Sequence, residues 1–551
     1  MPQRRLISRL CLAACAVALA VAAHTQPCPA QDSAAVSTDF STVLQWHLRA
    51  MKPVADYFAA HVVELDYIQG VPDDDNRVFV HWQGGKFRQE YRWLGFTEAF
   101  GFDGQQYWYG STLLLPYSLD HGQPPDVTTQ YVSDFAYLAA DQQAYITPPG
   151  EVPFDLAQRY AVLRWAPPQM SEALLLLDPA DYRLAGFLEG DEKLLADSSV
   201  YHLTTFEDWA DFGVCWFPAV TRTVTLTSEG EPVRERFTTT DGVREAQPLA
   251  DEQFTIASTP AVASPVLPQE PFEVKFSFVS DNVVLRCQTA DGQPLRMELD
   301  TGANVGLLRR DVAQHLGLKL YGDEQVTGHG GTAAVRYCRV EGLRLEGAEK
   351  GTFVELPPFR AAVVADSDGL DKSLEDNGVS GLLGNFVLSS FVTRLDYRRR
   401  LITLYSPQQF DPAVQLGAGY HVIPVHRDSM PFVDVTVDGI IHGGAFFNTG
   451  AQQFFALAAW AIDAAGISYE VETIGTSTTI DGYTVFGVIR PSLVELGDIA
   501  IERPTTHLEL LAPGEAPNPN HIASFGNAFF EHYTVTFDLF HELYYIEGNE
   551  L

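Results

Sequence analysis

Residues 295–304 read Leu-Arg-Met-Glu-Leu-Asp-Thr-Gly-Ala-Asn, and this stretch decides the fold of the second half of the chain. Apolar side chains alternate through its first half, which is the period of a strand with one buried face. The strand runs into a carboxylate, Asp300, and then into a glycine that permits a tight turn. After the turn, Leu308, Val312 and Leu316 recur at the spacing of an amphipathic helix. A strand, an Asp-Thr-Gly turn and a helix predict a carboxylate at the floor of a cleft.

The same pattern returns later in the chain with an amide in place of the acid. Residues 445–451 read Ala-Phe-Phe-Asn-Thr-Gly-Ala, and about eighty positions after each turn an apolar residue is followed by Gly-Asn. An apolar residue followed by Asp then marks a third anchor in each copy. The matching anchors are Asp300 and Asn448, Gly384 and Gly526, and Asp396 and Asp538. Three anchors in one order at similar spacing indicate an internal duplication.

Asp-Thr-Gly-Ala followed at this distance by Leu-Gly-Asn resembles the aspartic proteases, most of all their retropepsin-like bacterial branch. The resemblance covers about 270–551. It implies two tandem retropepsin-like β-barrel lobes, at 272–405 (lobe one) and 420–551 (lobe two), which together form a pepsin-like bilobal unit. The Pro- and Gly-containing segment 406–419 is predicted to connect them.

The resemblance also implies roles for particular residues. Asp300 matches the catalytic Asp of an endopeptidase, and Asn448 stands at the position of the second catalytic Asp. The expected supporting loops contain Thr301, Gly302, Thr449, Gly450, Gly384 and Gly526. The threonine hydroxyls are expected to bond to the opposite lobe. Gly328, His329 and Gly330 lie where the family has a flap, although an ordinary glycine hairpin is the alternative.

Replacement of one carboxyl by an amide leaves several functions open. Aspartic protease chemistry uses two carboxyls about 3 Å apart that share one proton. Asn448 can donate a hydrogen bond but cannot carry that proton. The sequence therefore permits a slow peptidase that uses Asp300 alone or a homodimer that pairs Asp300 of two chains. It equally permits a pseudoprotease that binds peptides or lipidated polypeptides. A plain turn Asp at position 300 is the structural alternative.

Residues 1–31 are predicted to be a signal peptide rather than part of the fold. Three arginines precede an apolar run at 10–23 that ends in small residues. The pattern predicts export to the periplasm or the exterior, with membrane association left open. Beyond this run, no stretch is apolar for long enough to span a membrane.

Residues 38–256 are predicted to form a separate domain of one helix, about 43–62, followed mostly by antiparallel strands. Gly-Phe-Asp-Gly at 101–104, Leu-Asp-Pro at 177–179 and Cys-Trp-Phe-Pro at 215–218 resemble the Lol-type lipoprotein carriers. That resemblance implies a curved antiparallel half-barrel with helices that shelters a lipid or lipopeptide. The alternative is that its aromatic residues are simply core. The Ala- and Pro-rich segment 257–271 is predicted to be a linker.

The composition restricts the partners. The chain has 71 acidic and 36 basic residues, a net charge of −35, which disfavours binding to nucleic acid. No cysteine or histidine spacing indicates a metal site, and no cofactor is predicted. Cys287 and Cys338 are either a disulfide or two buried thiols.

Overall fold

The computed structural model describes residues 39–69, 76–118, 131–168, 170–190, 198, 200–328, 331–364, 370–416, 419–427, 430–479, 482–509 and 519–548. The predicted signal peptide lies outside these ranges. The described part is mainly β, as the sequence predicts, and its strands form open sheets. Within the described residues no sheet closes into a barrel, so the barrel form expected from the resemblance is not seen.

The helices are α1 Phe40–Ala60, α2 Arg310–His315, α3 Leu370–Asp376, α4 Pro412–Gln415, α5 Ala459–Ala464 and α6 Asn527–Phe530. The strands of the first half are β1 Val63–Gln69, β2 Arg77–Gln83, β3 Lys86–Trp93, β4 Phe96–Phe102, β5 Tyr107–Ser111, β6 Tyr117–Ser118, β7 Ile146–Thr147, β8 Ala161–Trp165, β9 Ala173–Leu177, β10 Leu184–Gly190, β11 Val200–Asp211, β12 Trp216–Thr227 and β13 Pro232–Glu245.

The strands of the second half are β14 Phe272–Val279, β15 Asn282–Gln288, β16 Pro294–Leu299, β17 Gly306–Leu308, β18 Tyr321–Gly328, β19 Gly331–Val340, β20 Arg344–Glu346, β21 Phe353–Glu355, β22 Phe359–Val364, β23 Gly381–Leu383, β24 Val392–Asp396, β25 Leu401–Tyr405, β26 Tyr420–Pro424, β27 His426–Arg427, β28 Pro431–Val437, β29 Ile441–Phe447, β30 Phe455–Ala458, β31 Thr473–Thr479, β32 Gly482–Ile489, β33 Leu493–Leu496, β34 Ile499–Glu502, β35 Thr506–Glu509, β36 Ala523–Phe525, β37 Tyr533–Asp538 and β38 Leu543–Gly548.

The first half is an antiparallel meander in which β1 pairs with both β2 and β13. Helix α1 begins at an Asp39 cap, whose carboxylate accepts the Thr42 N–H at 2.9 Å. Its buried residues, Val43, His47, Met51 and Val54, form one helical face that packs on the sheet. The aromatic residues of the Lol-type pattern join this core: Trp108, Phe187 and Phe217 are buried, and Phe102 and Trp209 are half-buried against it.

The predicted linker 257–271 is anchored at both ends. Just before it, the Trp108 indole donates to the carbonyl of buried Phe254, and at its start Thr259 packs over Gly110. At its other end, Leu267 is buried in the core of the second half. Apolar contacts that a composition argument could not foresee therefore tie the segment to both neighbours.

The second half repeats one local arrangement twice. In lobe one, β16 pairs in parallel with β23, and in lobe two β29 pairs in parallel with β36. The two copies are joined by a single sheet, because β24 of lobe one pairs antiparallel with β37 of lobe two. The third pair of sequence anchors lies at the ends of these two joining strands.

The first half contacts lobe one through side chains of β3 and β4. The guanidinium of Arg360 donates to the Glu98 carboxylate at 2.7 Å and lies over the rings of Trp93 and Tyr337. These two rings meet edge to face, with centroids 5.2 Å apart. Because Tyr337 lies on β19, the first half touches the base of the β18–β19 hairpin.

Two further features concern sequence expectations. Cys287 and Cys338 are buried free thiols, and the Cys338 thiol donates weakly to the Ala361 carbonyl at 3.7 Å. The possible disulfide between them is therefore absent. Among the described residues, every helix is too short or too polar to cross a bilayer.

Candidate active site

Asp300 lies directly after β16, in a turn held by backbone hydrogen bonds. Its N–H donates to the Leu383 carbonyl at 2.9 Å, which continues the parallel pairing of β16 with β23. The next turn folds back so that the Gly302 N–H donates to Asp300 Oδ1 at 3.0 Å. Gly384 packs behind the turn, where a Cβ atom would lie 2.6 Å from the Ala303 carbonyl oxygen. The carboxylate is thus fixed next to the buried end of β16.

Asn448 occupies the same position in lobe two, with the same bonds. Its N–H donates to the Phe525 carbonyl at 2.8 Å, and its Oδ1 accepts the Gly450 N–H at 2.9 Å. Since a backbone N–H can only donate, Oδ1 is the atom that faces Gly450, and Nδ2 has no hydrogen-bond partner within the described part of the chain. Gly526 supports this turn at close range, as Gly384 supports the first.

The two turns interlock through their threonines. Thr301 Oγ1 donates to the Phe447 carbonyl at 2.6 Å and accepts the Thr449 N–H at 3.1 Å. Thr449 Oγ1 reciprocates, because it donates to the Leu299 carbonyl at 2.5 Å and accepts the Thr301 N–H at 3.1 Å. Both threonines are buried. Each lobe therefore satisfies backbone groups that the other lobe would otherwise leave unpaired.

The side chains at positions 300 and 448 face each other across these turns. A Cβ atom on Gly302 would lie 2.5 Å from Asn448 Cγ, and one on Gly450 would lie 2.5 Å from Asp300 Cγ. Each functional side chain thus rests on the glycine of the opposite turn. Only glycine leaves room for this approach.

Burial changes the acid–base properties of the site. It raises the pKa of Asp300 to about 6, against the opposing effect of the Gly302 N–H. Burial, and then the negative charge of Asp300, raise the pKa of Glu298 to about 8, while the Asn282 amide acts in the opposite direction. Glu298 was not among the sequence candidates. The alternation of the strand could have identified it, because Glu298 is two residues before Asp300 and therefore lies on the same side of the chain, opposite Met297.

A second polar group that the sequence did not single out, Asn527 of lobe two, connects the Asn448 turn to lobe one. The Asn527 amide nitrogen donates to the Thr449 carbonyl at 2.9 Å and to Asn282 Oδ1 at 3.4 Å. The Tyr397 hydroxyl donates to the other end of this amide. Asn527 belongs to the repeated Gly-Asn anchor, so its position, though not its role, was visible in the sequence.

The hairpin expected to act as a flap is present in its strands. β18 and β19 pair antiparallel as far as Gly328 and Gly331. His329 and Gly330 lie outside the described residues. Lobe two carries an equivalent hairpin of β31 and β32, and β31 lies against α3 of lobe one.

A cavity of about 620 Å³ opens in lobe two beyond the Asn448 turn. Its lining includes Gln452, Phe454, His507 and His532, but neither Asp300 nor Asn448. The His507 ring stacks on Phe486 with centroids 4.0 Å apart, and burial lowers its pKa.

The arrangement suits one acid–base group beside one hydrogen-bond donor. An ionised Asp300 can accept a proton from a water molecule, and the Asn448 amide can donate to an adjacent oxygen. The amide has the shape of a protonated carboxyl group but cannot release a proton.

One comparison with known proteins bears on this part of the chain. Residues 287–386 match a family model described as aspartyl protease, and this stretch contains β16, Asp300, the β18–β19 hairpin and Gly384. No curated protein matches the chain. Among solved structures, basic 7S globulin from soybean is similar with a TM-score of 0.31 and 11% identity, over 51% of this chain and 95% of that one.

Proposed function

We propose that the chain is an exported aspartic-type endopeptidase in which Asp300 activates the attacking water and Asn448 replaces the second catalytic carboxyl. The observation that carries the proposal is the reciprocal interlock of the two turns, which places these two side chains against each other's glycine. The aspartyl protease match over 287–386 supports the same reaction class. The unit would be bilobal and pepsin-like, with lobes at 272–405 and 420–551.

The proposed reaction follows from the bonds of each group. Asp300 takes a proton from water, and the resulting oxygen attacks the carbonyl carbon of a peptide. Asn448 Nδ2 donates a hydrogen bond to the oxygen that becomes negative, since its Oδ1 is already occupied by Gly450. The proton held by Asp300 then passes to the departing nitrogen. The cycle closes without a second titrating group, but the oxyanion receives a hydrogen bond and no proton.

The alternative is a pseudoprotease that binds peptides without cutting them. The amide at 448 favours this alternative, because general acid–base participation contributes roughly 10² to 10⁴ in rate. A homodimer with paired Asp300 residues has less support, since Thr301 is engaged by Thr449 of its own chain and β24 by β37.

The first half is proposed to bind a lipid or lipopeptide. The Lol-type pattern supports this idea, while the buried positions of Trp108, Phe187 and Phe217 favour the simple core alternative. A fluorescent acyl probe titrated into the full chain decides between them, because a filled core predicts no saturable signal.

Hydrolysis by the purified full chain is the test of the main proposal. An unfolded protein and a library of quenched fluorescent peptides are incubated with wild type and with Asp300→Asn. Cleavage that disappears in Asp300→Asn supports the peptidase. Saturable peptide binding without cleavage, at any pH between 4 and 9, would establish the binder instead.

A further inference from the structure

Glu298 is a second carboxyl group on the Asp300 face of β16. Its side chain is 7% exposed, and its register partners are Val284 on β15 and Leu382 on β23, both members of an apolar cluster. A carboxyl placed between apolar neighbours is costly to ionise. Its place in the strand is therefore unexplained by packing alone.

The polar contacts of Glu298 lead to both turns of the site. Asn282 Nδ2 donates to Glu298 Oε1 at 2.9 Å, and it is the one hydrogen-bond donor to this carboxyl among the described residues. Asn282 in turn accepts from Asn527, which also donates to the Thr449 carbonyl. Glu298 is thus two residues from Asp300 in the sequence, and the Asn282 and Asn527 amides connect it to the Asn448 turn.

The charged and titratable groups around Glu298 are few. On its own strand, Arg296 points away, since its guanidinium donates to the carbonyls of Asn377 and Gly378. β15 contributes the neutral Asn282, and β23 contributes Leu382. Beyond β24, the Tyr397 hydroxyl is bonded to Asn527, and burial with nearby Glu531 and Glu298 keeps its pKa well above the usual value. Asp300 is therefore the charge that acts on Glu298.

We infer that Glu298 is a positioning residue that holds, beside Asp300, the proton that Asn448 cannot hold. The inference rests on the proposed peptidase function and deepens it. With Asp300 ionised and Glu298 protonated, the site carries one negative charge and one acidic proton, which is the charge state of a carboxyl pair. When Glu298 also ionises, a second negative charge opposes the developing oxyanion.

The order of ionisation defines the working pH range. Burial raises the pKa of Asp300 to about 6, so Asp300 loses its proton first; burial, and then the charge of Asp300, raise the pKa of Glu298 to about 8. Hydrolysis should rise as pH passes 6 and fall as it passes 8. The site is thus expected to work near neutral pH rather than in acid.

The test compares wild type with Glu298→Gln, which keeps the shape and the acceptor for Asn282 but never ionises. Glu349→Gln is the matched control, because Glu349 is exposed in the same lobe. At pH 9 the hydrolysis rate of wild type should be about tenfold below its maximum, because a Glu298 with a pKa of about 8 is mostly ionised there. Glu298→Gln should retain its maximal rate there and keep the acidic limb.

Thermal unfolding supplies a second readout that needs no hydrolysis. The folded state holds the Glu298 proton more tightly than the unfolded chain, so wild type should lose stability between pH 4.5 and 8 relative to Glu298→Gln. Adding Asp300→Asn to both proteins should reduce this difference without removing it, because burial, the larger cause of the raised pKa of Glu298, stays and only the charge of Asp300 is lost. A buried but uncoupled Glu would show no such reduction.

The outcomes separate the two proposals. Hydrolysis with an unchanged pH profile in Glu298→Gln overturns the role of Glu298 and leaves the peptidase standing. No hydrolysis in any protein, with the coupled stability difference present, overturns the peptidase and leaves the proton site standing. A stability difference no larger than that of Glu349→Gln overturns the proton site.

Discussion

Asn448→Asp is the substitution that bears most directly on the candidate site. The new side chain has the same shape, so one carboxylate oxygen can accept the Gly450 N–H that Asn448 Oδ1 accepts now at 2.9 Å. The other oxygen takes the place of Nδ2. Because burial already raises the pKa of Asp300 to about 6, two carboxyls in this place would share a proton over a wide pH range.

The expected gain is that of general acid–base participation, about 10² to 10⁴ in turnover, or about 3 to 5 kcal/mol of barrier. Initial rates on quenched fluorescent peptides should be recorded from pH 3 to 9 at several protein concentrations. Asn448→Asp should show a bell-shaped profile, displaced toward acid from that of wild type, and Asp300→Asn should abolish hydrolysis in either background. A wild type that is already fast, with specific activity rising with protein concentration and unmoved by Asn448→Asp, would refute the intrachain site and favour a dimer.

Further predictions concern stability. Thr449→Val should lower the free energy of unfolding by about 2 to 4 kcal/mol, because the buried Leu299 carbonyl and Thr301 N–H both lose the hydroxyl that they bond to. Urea titration measures this loss, and Thr449→Ser, which keeps the hydroxyl, should recover most of it. Arg360→Met should cost about 1 to 3 kcal/mol, since the Glu98 carboxylate on β4 loses its cationic partner and retains the hydrogen bond from the Tyr109 hydroxyl; a loss confined to hydrolysis, with no change in unfolding, would contradict this structural role. Asp300→Asn should be more stable than wild type by about 3 kcal/mol above pH 6 and equal to it below pH 3.8, because the folded protein disfavours the ionised carboxyl of Asp300. Thermal melts across this range measure the sign of the stability difference.

The sequence predicted the two turns well because their determinants are local. Strand alternation and the glycines two residues after Asp300 and Asn448 are short-range constraints, and the close approach of the two turns requires the glycines. The mainly β class followed from the same alternation. The open form of the sheets was not predicted, since closure depends on pairings between strands that are distant in sequence.

The sequence did not identify the polar surroundings of the site. Alternation predicts the apolar face of the strand that precedes Asp300, but it assigns no role to the opposite face, which carries Glu298. Asn282 and Asn527 come from opposite lobes, and their contact depends on how the lobes pack. Such long-range neighbours have no periodic signature in a single sequence. The anchoring of 257–271 was missed for the same reason, because Leu267 is buried by residues far along the chain.

The sheet shared by the lobes has a mechanical consequence. Because β24 and β37 are hydrogen-bonded neighbours, a hinge opening between the lobes would shear a continuous ladder. The threonine bonds cross the same boundary a short distance away. In the proposed peptidase, a long polypeptide would therefore enter by bending of the β18–β19 and β31–β32 hairpins rather than by a clamshell movement. Under tension or heat, the two lobes should give way as one cooperative unit, with a single unfolding step for residues 272–548.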